Sequence, residues 1–151
     1  IATDEMSISP SGIDLIRNFE SLRLNAYDDG VGVWTIGYGT TKYLNGIRVK
    51  KGDTCTLEQA KSYMQHDLKK FEQTVNSAVN VPINQNQFDA LVSLAYNIGP
   101  NAFEESTLVK RLNEKNYKAA ADQFGLWVNA RGKRLQGLVN RRKIEMELFL
   151  K

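Results

Sequence analysis

The chain has 151 residues, 42% hydrophobic and 25% charged, and a formal net charge of +3. This length and composition predict one globular domain with a buried core, and they exclude disordered, collagen-like and membrane-spanning proteins. The single cysteine, Cys55, excludes an intramolecular disulfide, and the single histidine, His66, argues against a histidine metal site or a serine-histidine triad. Any chemistry therefore depends on carboxylates, hydroxyls and backbone groups.

The N-terminal third combines a helix with a small sheet. Residues 1–6 are unlike a signal peptide, and because the sequence starts at Ile instead of Met, we expect a processed or truncated chain whose targeting segment is not visible. Ser9-Pro10 followed by apolar residues at helical spacing predicts a helix over about 9–22. The glycine-rich segment 24–50 predicts short antiparallel strands, with a two-residue type I′ hairpin at Asn45-Gly46.

The remaining chain has helical periodicity. Thr56 and Gln59 form a capping box before a long helix over about 57–79, and Asn84 with Gln87 begins the next, which Gly99-Pro100 closes. Shorter helices are predicted at 106–114, 116–129 and 137–150. These elements predict an α+β fold in a single domain 1–151, with a β lobe (24–55), a helical lobe (80–151 with helix 9–22) and a connecting helix (57–79).

The basic charge is concentrated near the C-terminus. Residues 123–144 contain no acid and six cations: Arg131, Lys133, Arg134, Arg141, Arg142 and Lys143. This basic region predicts weak contact with anionic membrane or wall polymers, and without a base-reading motif it does not indicate nucleic-acid binding. A solvated helix face is the simpler interpretation of the same charges.

Two carboxylates have the local settings that acid-base chemistry needs. Glu20 follows Phe19 at a helix C-terminus, where the dipole disfavours negative charge and favours a protonated acid. Asp29 lies nine residues later in a polar turn, where backbone donors favour the ionised form. One protonated and one ionised carboxyl group form the pair that glycoside hydrolysis uses.

A strand through residues 33–39 adds a hydroxyl group. Alternation places Trp34, Ile36 and Tyr38 on a core face, and it places Thr35 with two glycines on a nearly flat opposite face. A sugar ring approaches such a face closely, and Thr35 is expected to hold a water molecule beside Asp29. Taken singly, each of these residues also has an ordinary structural interpretation.

Together, these segments resemble a known family. Residues 19–20, 22–29, 32–39, 84–91, 96–99 and 137–142 closely resemble phage endolysins of the T4-type lysozyme family, especially those of lambdoid tailed phages. The resemblance covers nearly the whole chain from Ser9. It implies a lysozyme-like fold and an N-acetylmuramidase that hydrolyses the β-1,4 bond between N-acetylmuramic acid and N-acetylglucosamine in bacterial peptidoglycan, for host lysis.

The same resemblance assigns roles to individual residues. Glu20 is the general acid, and Asp29 with Thr35 positions the attacking water; the family register selects Asp29 over Asp28. Arg141 corresponds to an arginine that supports the glutamate, while saccharide contacts correspond to Tyr96, Asn97 and Ser106. Where many relatives have histidine, this chain has Thr40, which is expected to substitute through water.

Several alternatives stay open at this stage. Inversion is the family practice, but a retaining mechanism with Asp29 as nucleophile is also compatible with the residues. Rival functions are a lytic transglycosylase, an inactive wall-binding module and membrane disruption by the helix at 137–150. No cofactor or metal is expected, and we expect a monomer that stays in the host cytoplasm until release or export and then acts on the periplasmic wall.

Overall fold

The computed structural model describes residues 6–130 and 132–151. The predictions for residues 1–5 and the assignment of Arg131 to the basic region lie outside these residues. The chain divides into two compact units: the first is Asp14–Lys70, and the second joins the described residues up to Ile13 with Phe71–Lys151. None of the helices in the described residues is long and apolar enough to cross a membrane.

The regular elements follow the predicted order. The larger helices are α1 (Pro10–Phe19), α2 (Leu57–Ala78), α3 (Gln85–Ile98) and α7 (Gln136–Phe149). The shorter ones are α4 (Pro100–Glu104), α5 (Thr107–Asn113), α6 (Tyr117–Gln123) and a 3₁₀ turn (Phe124–Leu126). The strands are β1 (Arg23–Asp28), β2 (Trp34–Gly37), β3 (Asn129–Ala130) and β4 (Lys133–Arg134). The sequence did not predict α4 or the β3–β4 hairpin.

The predicted capping box at Thr56 and the predicted helix start at Asn84 are confirmed. Thr56 accepts from the Gln59 amide at 3.1 Å and donates its own amide to the Gln59 side chain at 2.9 Å, which starts α2. Asn84 and Gln87 exchange the same pair of bonds at 2.8 Å each before α3. Each box satisfies amides that a helix start otherwise leaves unpaired, so these starts are determined locally.

In the first unit, β1 and β2 form an antiparallel pair. The register matches Tyr27 with Thr35 and Asp28 with Trp34, with an irregularity nearer Arg23. Residues 53–55 lie along β1, because Ala26 donates to the Asp53 carbonyl and Cys55 to the Leu24 carbonyl. Burial raises the pKa of the Cys55 thiol, which agrees with a small packed residue.

The predicted type I′ hairpin at Asn45-Gly46 is wrong. Gly46 has φ +84°, but Asn45 is not among the described residues with positive φ, and type I′ requires positive φ at both positions. The loop is longer: Lys42 pairs with Arg48, and Gly46 donates to the Tyr43 carbonyl at 3.0 Å. A turn followed by one left-handed glycine reverses the chain here.

The predicted open face of residues 33–39 is also wrong. Thr35 is buried like Ile36 and Tyr38, so this segment does not present a flat open face. Strand β2 ends at Gly37, where φ is +67° and an added Cβ would lie 3.2 Å from the Ala60 Cβ. Gly37 therefore permits close packing of β2 against α2, which alternation along a single strand cannot reveal.

In the second unit, α3 is buried along residues 88–95, which include two polar side chains. Asp89 is 2% exposed and accepts from the Ser9 amide, the Ser9 hydroxyl and the Gln85 side chain. Ser9 in turn accepts from the Gly12 amide at 3.1 Å. The buried carboxylate of α3 therefore orients the residue that caps α1.

Residues 6–9 are held by side chains of α2 and α3. The Ile8 amide donates to Glu72 at 2.8 Å, Asn76 donates to the Met6 carbonyl at 2.9 Å, and Gln85 donates to the Ser7 carbonyl at 2.9 Å. This segment has no regular secondary structure. Its backbone is nevertheless fastened at successive residues.

We predict that Gly37→Ala destabilises the protein more than Gly46→Ala. Both glycines have positive φ, which costs an alanine about 1–2 kcal/mol, but only the new Cβ at 37 meets Ala60, whereas nothing lies within 4 Å at 46. Overpacking adds about 1–3 kcal/mol at position 37. Urea denaturation of both variants measures the difference, and equal free energies of unfolding would contradict this account of the contact.

Candidate active site

Glu20 lies directly after α1. Its amide donates to the Ile16 carbonyl at 3.0 Å, so Glu20 occupies the C-cap position of the helix. The residue is half-buried. The structure thus confirms the predicted location of this carboxyl group at the negative end of the α1 dipole.

Asp29 is held by the loop that it begins. Its Oδ1 atom accepts from the Val31 amide at 2.9 Å and from the Val33 amide at 3.2 Å. Asp28 binds the Gly30 and Gly32 amides in the same way, at 2.8 and 3.0 Å. The predicted backbone donors to Asp29 are therefore present, and they fix the orientation of its carboxylate.

Asp29 and Thr35 share one face of the β1–β2 ribbon. The Asp29 amide donates to the Val33 carbonyl at 3.1 Å, which extends the pairing of Tyr27 with Thr35 beyond the end of β1. Because side chains alternate along each strand, Asp29 and Thr35 are diagonal neighbours. Thr35 is 6% exposed, and its hydroxyl donates to the Val33 carbonyl at 3.3 Å.

Thr40 makes a contact that the sequence did not predict. Its hydroxyl donates directly to Asp67 of α2 at 2.8 Å, and the residue is 1% exposed. The expected substitution for histidine through water stays a prediction. Thr40 also exchanges backbone hydrogen bonds of 2.9 Å with Ile36, next to Thr35 in the chain. Asp67 was not identified from the sequence. Its position gave a signal, because Asp67 is a carboxylate that lies between Met64 and Phe71 of the apolar stripe of α2.

The other candidate residues lie in the second unit. The half-buried Tyr96 packs edge-on against Phe71, with 5.1 Å between ring centroids. Ser106 is 4% exposed, caps α5 by accepting from the Val109 amide, and donates to the Phe103 carbonyl at 2.7 Å. Asn97 is exposed near the end of α3.

Arg141 and Arg142 do not belong to an exposed basic region, which corrects the prediction made from charge. They are 5% and 1% exposed, and both bind the fully buried Glu145 one turn further along α7. Arg141 also donates to the Ser93 carbonyl at 3.0 Å. Within the described part of region 123–144, the exposed cations are Lys133, Arg134 and Lys143.

A cavity of about 490 Å³ in the first unit was not predicted. Its lining residues come from separate segments: Tyr43, Leu44, Asn45, Ile47, Lys50, Asp53, Thr54 and Tyr63. Tyr43 packs against Tyr63, and its hydroxyl donates to Asp53 at 2.8 Å. Glu20, Asp29 and Thr35 are not among the lining residues.

The comparisons with known proteins agree with the fold and with these motifs. The family described as phage lysozyme matches residues 17–145. The endolysin of Salmonella phage P22 is 47% identical over 145 residues, which cover 96% of this chain and 99% of that protein. A mixed α and β architecture of the lysozyme type is therefore established, as the sequence predicted.

Solved structures support the same conclusion. The endolysin from Escherichia coli O157:H7 phage FAHEc1 superimposes with a TM-score of 0.87 at 44% identity, covering 97% of this chain and 95% of that chain. The muramidase domain of SpmX from Asticaccaulis excentricus gives a TM-score of 0.88 at 37% identity, covering 97% and 99%. The chain is a lysozyme, an enzyme of the glycoside hydrolase class. It belongs to the phage lysozyme family.

We predict that Asp67→Asn changes how stability depends on pH. Burial raises the pKa of Asp67 in the folded protein, against the opposing effects of Thr40, His66 and Lys70. The folded chain then binds this proton more tightly than the unfolded chain. The contribution of Asp67 to the free energy of unfolding therefore falls as pH rises from about 4 through the raised pKa. Because asparagine does not titrate, the variant should gain stability relative to the parent across this window in urea denaturation.

Asp53→Asn is the matched control with the opposite sign. The Lys50 amide and then the Tyr43 hydroxyl hold the pKa of Asp53 below its usual range. The stabilising contribution of this carboxylate is present above its unfolded pKa of about 4 and is lost as pH falls through the lowered value. The variant should thus lose stability relative to the parent as pH rises. Identical pH curves for Asp67→Asn and the parent would refute the role assigned to burial.

Proposed function

We propose that this lysozyme is an endolysin and an N-acetylmuramidase that hydrolyses the β-1,4 bond between N-acetylmuramic acid and N-acetylglucosamine in bacterial peptidoglycan. The family membership and the relatives called endolysin and muramidase domain support this proposal. The enzyme acts as a single-domain monomer without a cofactor. It stays in the host cytoplasm until release or export and then degrades the periplasmic wall.

Glu20 is the proposed general acid. Its half-buried carboxyl group lies directly after α1 and is proposed to donate a proton to the glycosidic oxygen as the bond breaks. Arg141 is proposed to support this glutamate. Tyr96, Asn97 and Ser106 are the proposed saccharide contacts in the second unit.

Asp29 and Thr35 together are proposed to hold the attacking water, and their placement on one ribbon face is the observation that carries the mechanism. The Thr35 hydroxyl donates to Val33, so its oxygen retains lone pairs to accept from water. A water that donates one hydrogen to Thr35 and the other to Asp29 directs its own lone pair outward. Asp29 then takes the proton as the water attacks the anomeric carbon.

This arrangement favours inversion of the anomeric centre. A water held between the base and the sugar requires carboxyl groups roughly 6.5–9.5 Å apart, whereas direct attack by a carboxylate requires roughly 5–5.5 Å. The two backbone bonds to Oδ1 of Asp29 hold its carboxylate in one orientation, which suits a group that positions a water. Proton NMR of the first-formed product distinguishes the two outcomes by the anomer that appears.

We predict that Glu20→Gln lowers kcat on purified peptidoglycan by about 10²- to 10⁴-fold, because glutamine lacks the transferable proton. Glu58→Gln, an identical change at an exposed position in the first turn of α2, is the control and should retain full activity. The measurements are the initial rate of release of reducing ends and the identity of the terminal sugars.

The products test the rival functions in the same experiment. Reducing N-acetylmuramic acid ends from the parent support hydrolysis at the proposed bond, whereas 1,6-anhydro ends indicate a lytic transglycosylase. If wall binding occurs without any bond cleavage, the inactive binding module is correct. Undiminished activity of Glu20→Gln would reject Glu20 as the acid.

We predict that Thr35→Val lowers kcat about tenfold or more and that Thr35→Ser restores most of it. Valine matches the shape of threonine in this buried position but offers the water no acceptor, and one hydrogen bond in the transition state is worth about that factor. Circular dichroism melting of both variants monitors the fold. Equal activity of the valine variant and the parent would remove Thr35 from the mechanism.

A further inference from the structure

A buried carboxylate organises the polar groups between α3 and α7 in the second unit. Glu145 is 0% exposed, and its Oε2 atom accepts from the Ser93 hydroxyl and from Nε of Arg141 at 3.1 Å. Its Oε1 atom accepts from Nη1 of Arg142 at 2.7 Å. One carboxylate therefore anchors two buried guanidinium groups, whose remaining donors need other acceptors.

Arg142 uses those remaining donors at two further places. Its Nε atom donates to the Trp127 carbonyl at 2.7 Å, and Nη2 donates to Oδ1 of Asn97. The planar guanidinium is thus held by three groups from three segments, which fixes its orientation. The final contact extends from this buried cluster to Asn97, which is exposed.

The contact determines what Asn97 presents to solvent. A guanidinium group donates and never accepts, so the atom of Asn97 that faces Arg142 is the carbonyl oxygen of the side chain. The amide NH₂ group points away from Arg142. In the described residues this NH₂ group donates to no protein acceptor. Asn97 therefore offers a ligand two hydrogen-bond donors with a fixed orientation.

We propose that Arg142, anchored by Glu145, is a positioning residue that makes Asn97 specific for a hydrogen-bond acceptor on the glycan strand. This inference rests on the proposed function, in which Asn97 contacts the saccharide. Without Arg142 the side-chain amide of Asn97 turns over freely and presents oxygen or nitrogen equally. With Arg142 in place, an acceptor oxygen of the sugar is bound and a donor is rejected.

Asn97→Asp and Asn97→Ala provide the first test. Aspartate keeps an oxygen for Arg142 but turns a second oxygen towards the sugar acceptor, whereas alanine removes both the donor to the sugar and the oxygen that Arg142 binds. We expect KM for glycan strands stripped of peptides to rise about 2- to 10-fold in Asn97→Ala and further in Asn97→Asp, with kcat nearly unchanged. Asn80→Asp adds the same charge to an exposed loop and should not change KM. An aspartate variant that binds as well as the parent would overturn the proposal.

A double-mutant cycle tests the part played by Arg142. Lysine has one compact charge that cannot hold Glu145, Trp127 and Asn97 together, so Arg142→Lys should raise KM about 2- to 10-fold. If Arg142 acts through Asn97, the same change made in the Asn97→Ala background should leave KM unchanged. Equal increases in both backgrounds would show a general structural effect and reject the positioning role. If Arg142→Lys does not fold, the order of the two Asn97 variants still tests the requirement of the proposal that Asn97 presents a donor to the sugar, and a KM for Asn97→Asp no higher than that for Asn97→Ala would reject it.

Failure of the proposed function gives a different result. In that case the parent releases no reducing sugar ends from the stripped strands. If the parent cleaves the strands but Asn97→Asp has a KM no higher than that of Asn97→Ala, the inference about Arg142 and Asn97 alone is wrong. Binding of the same strands to Glu20→Gln, measured by calorimetry with each Asn97 variant, gives the affinity order independently of turnover.

Discussion

The complete burial of α3 along residues 88–95 is the constraint on which much of the second unit depends. A buried helix with polar side chains must find partners for them, because an unsatisfied buried group costs about 1–3 kcal/mol or more. Asp89 meets this need with Ser9, at the start of α1, and Ser93 meets it with Glu145 and Arg141 of α7. The two polar side chains of α3 thus fix the positions of two other helices, while its apolar side chains form the core.

Features determined by neighbouring residues could be predicted from the sequence. The starts of α2 and α3 follow from side chains that bond amides three residues away, as Thr56 and Asn84 do. The same holds for part of the candidate site: Glu20 is at a helix end, and Asp29 accepts amides two and four residues further along. The local settings of Glu20 and Asp29 left their catalytic roles open, and the family resemblance supplied those roles.

Features determined by distant partners could not be predicted. Thr40 and Asp67 are 27 residues apart, and the contact of Gly37 with Ala60 depends on packing of α2 against β2. The basic region failed for another reason, because counting charges in residues 123–144 omitted Glu145, which follows at once and binds Arg141 and Arg142. Arg142 and Arg141 lie three and four residues before Glu145 on one helix, and this spacing indicates ion pairs.

The attachment of residues 6–9 has a mechanical consequence. Glu72, Asn76 and Gln85 hold successive backbone groups of this segment, and Asp89 holds Ser9. A pulling force applied upstream, for example through a surface tether or a fused partner, is therefore shared by several bonds to α2 and α3 before α1 bears any load. A linker joined ahead of Met6 preserves this anchorage, whereas a graft that replaces residues 6–9 transmits strain directly into the helix that ends beside Glu20.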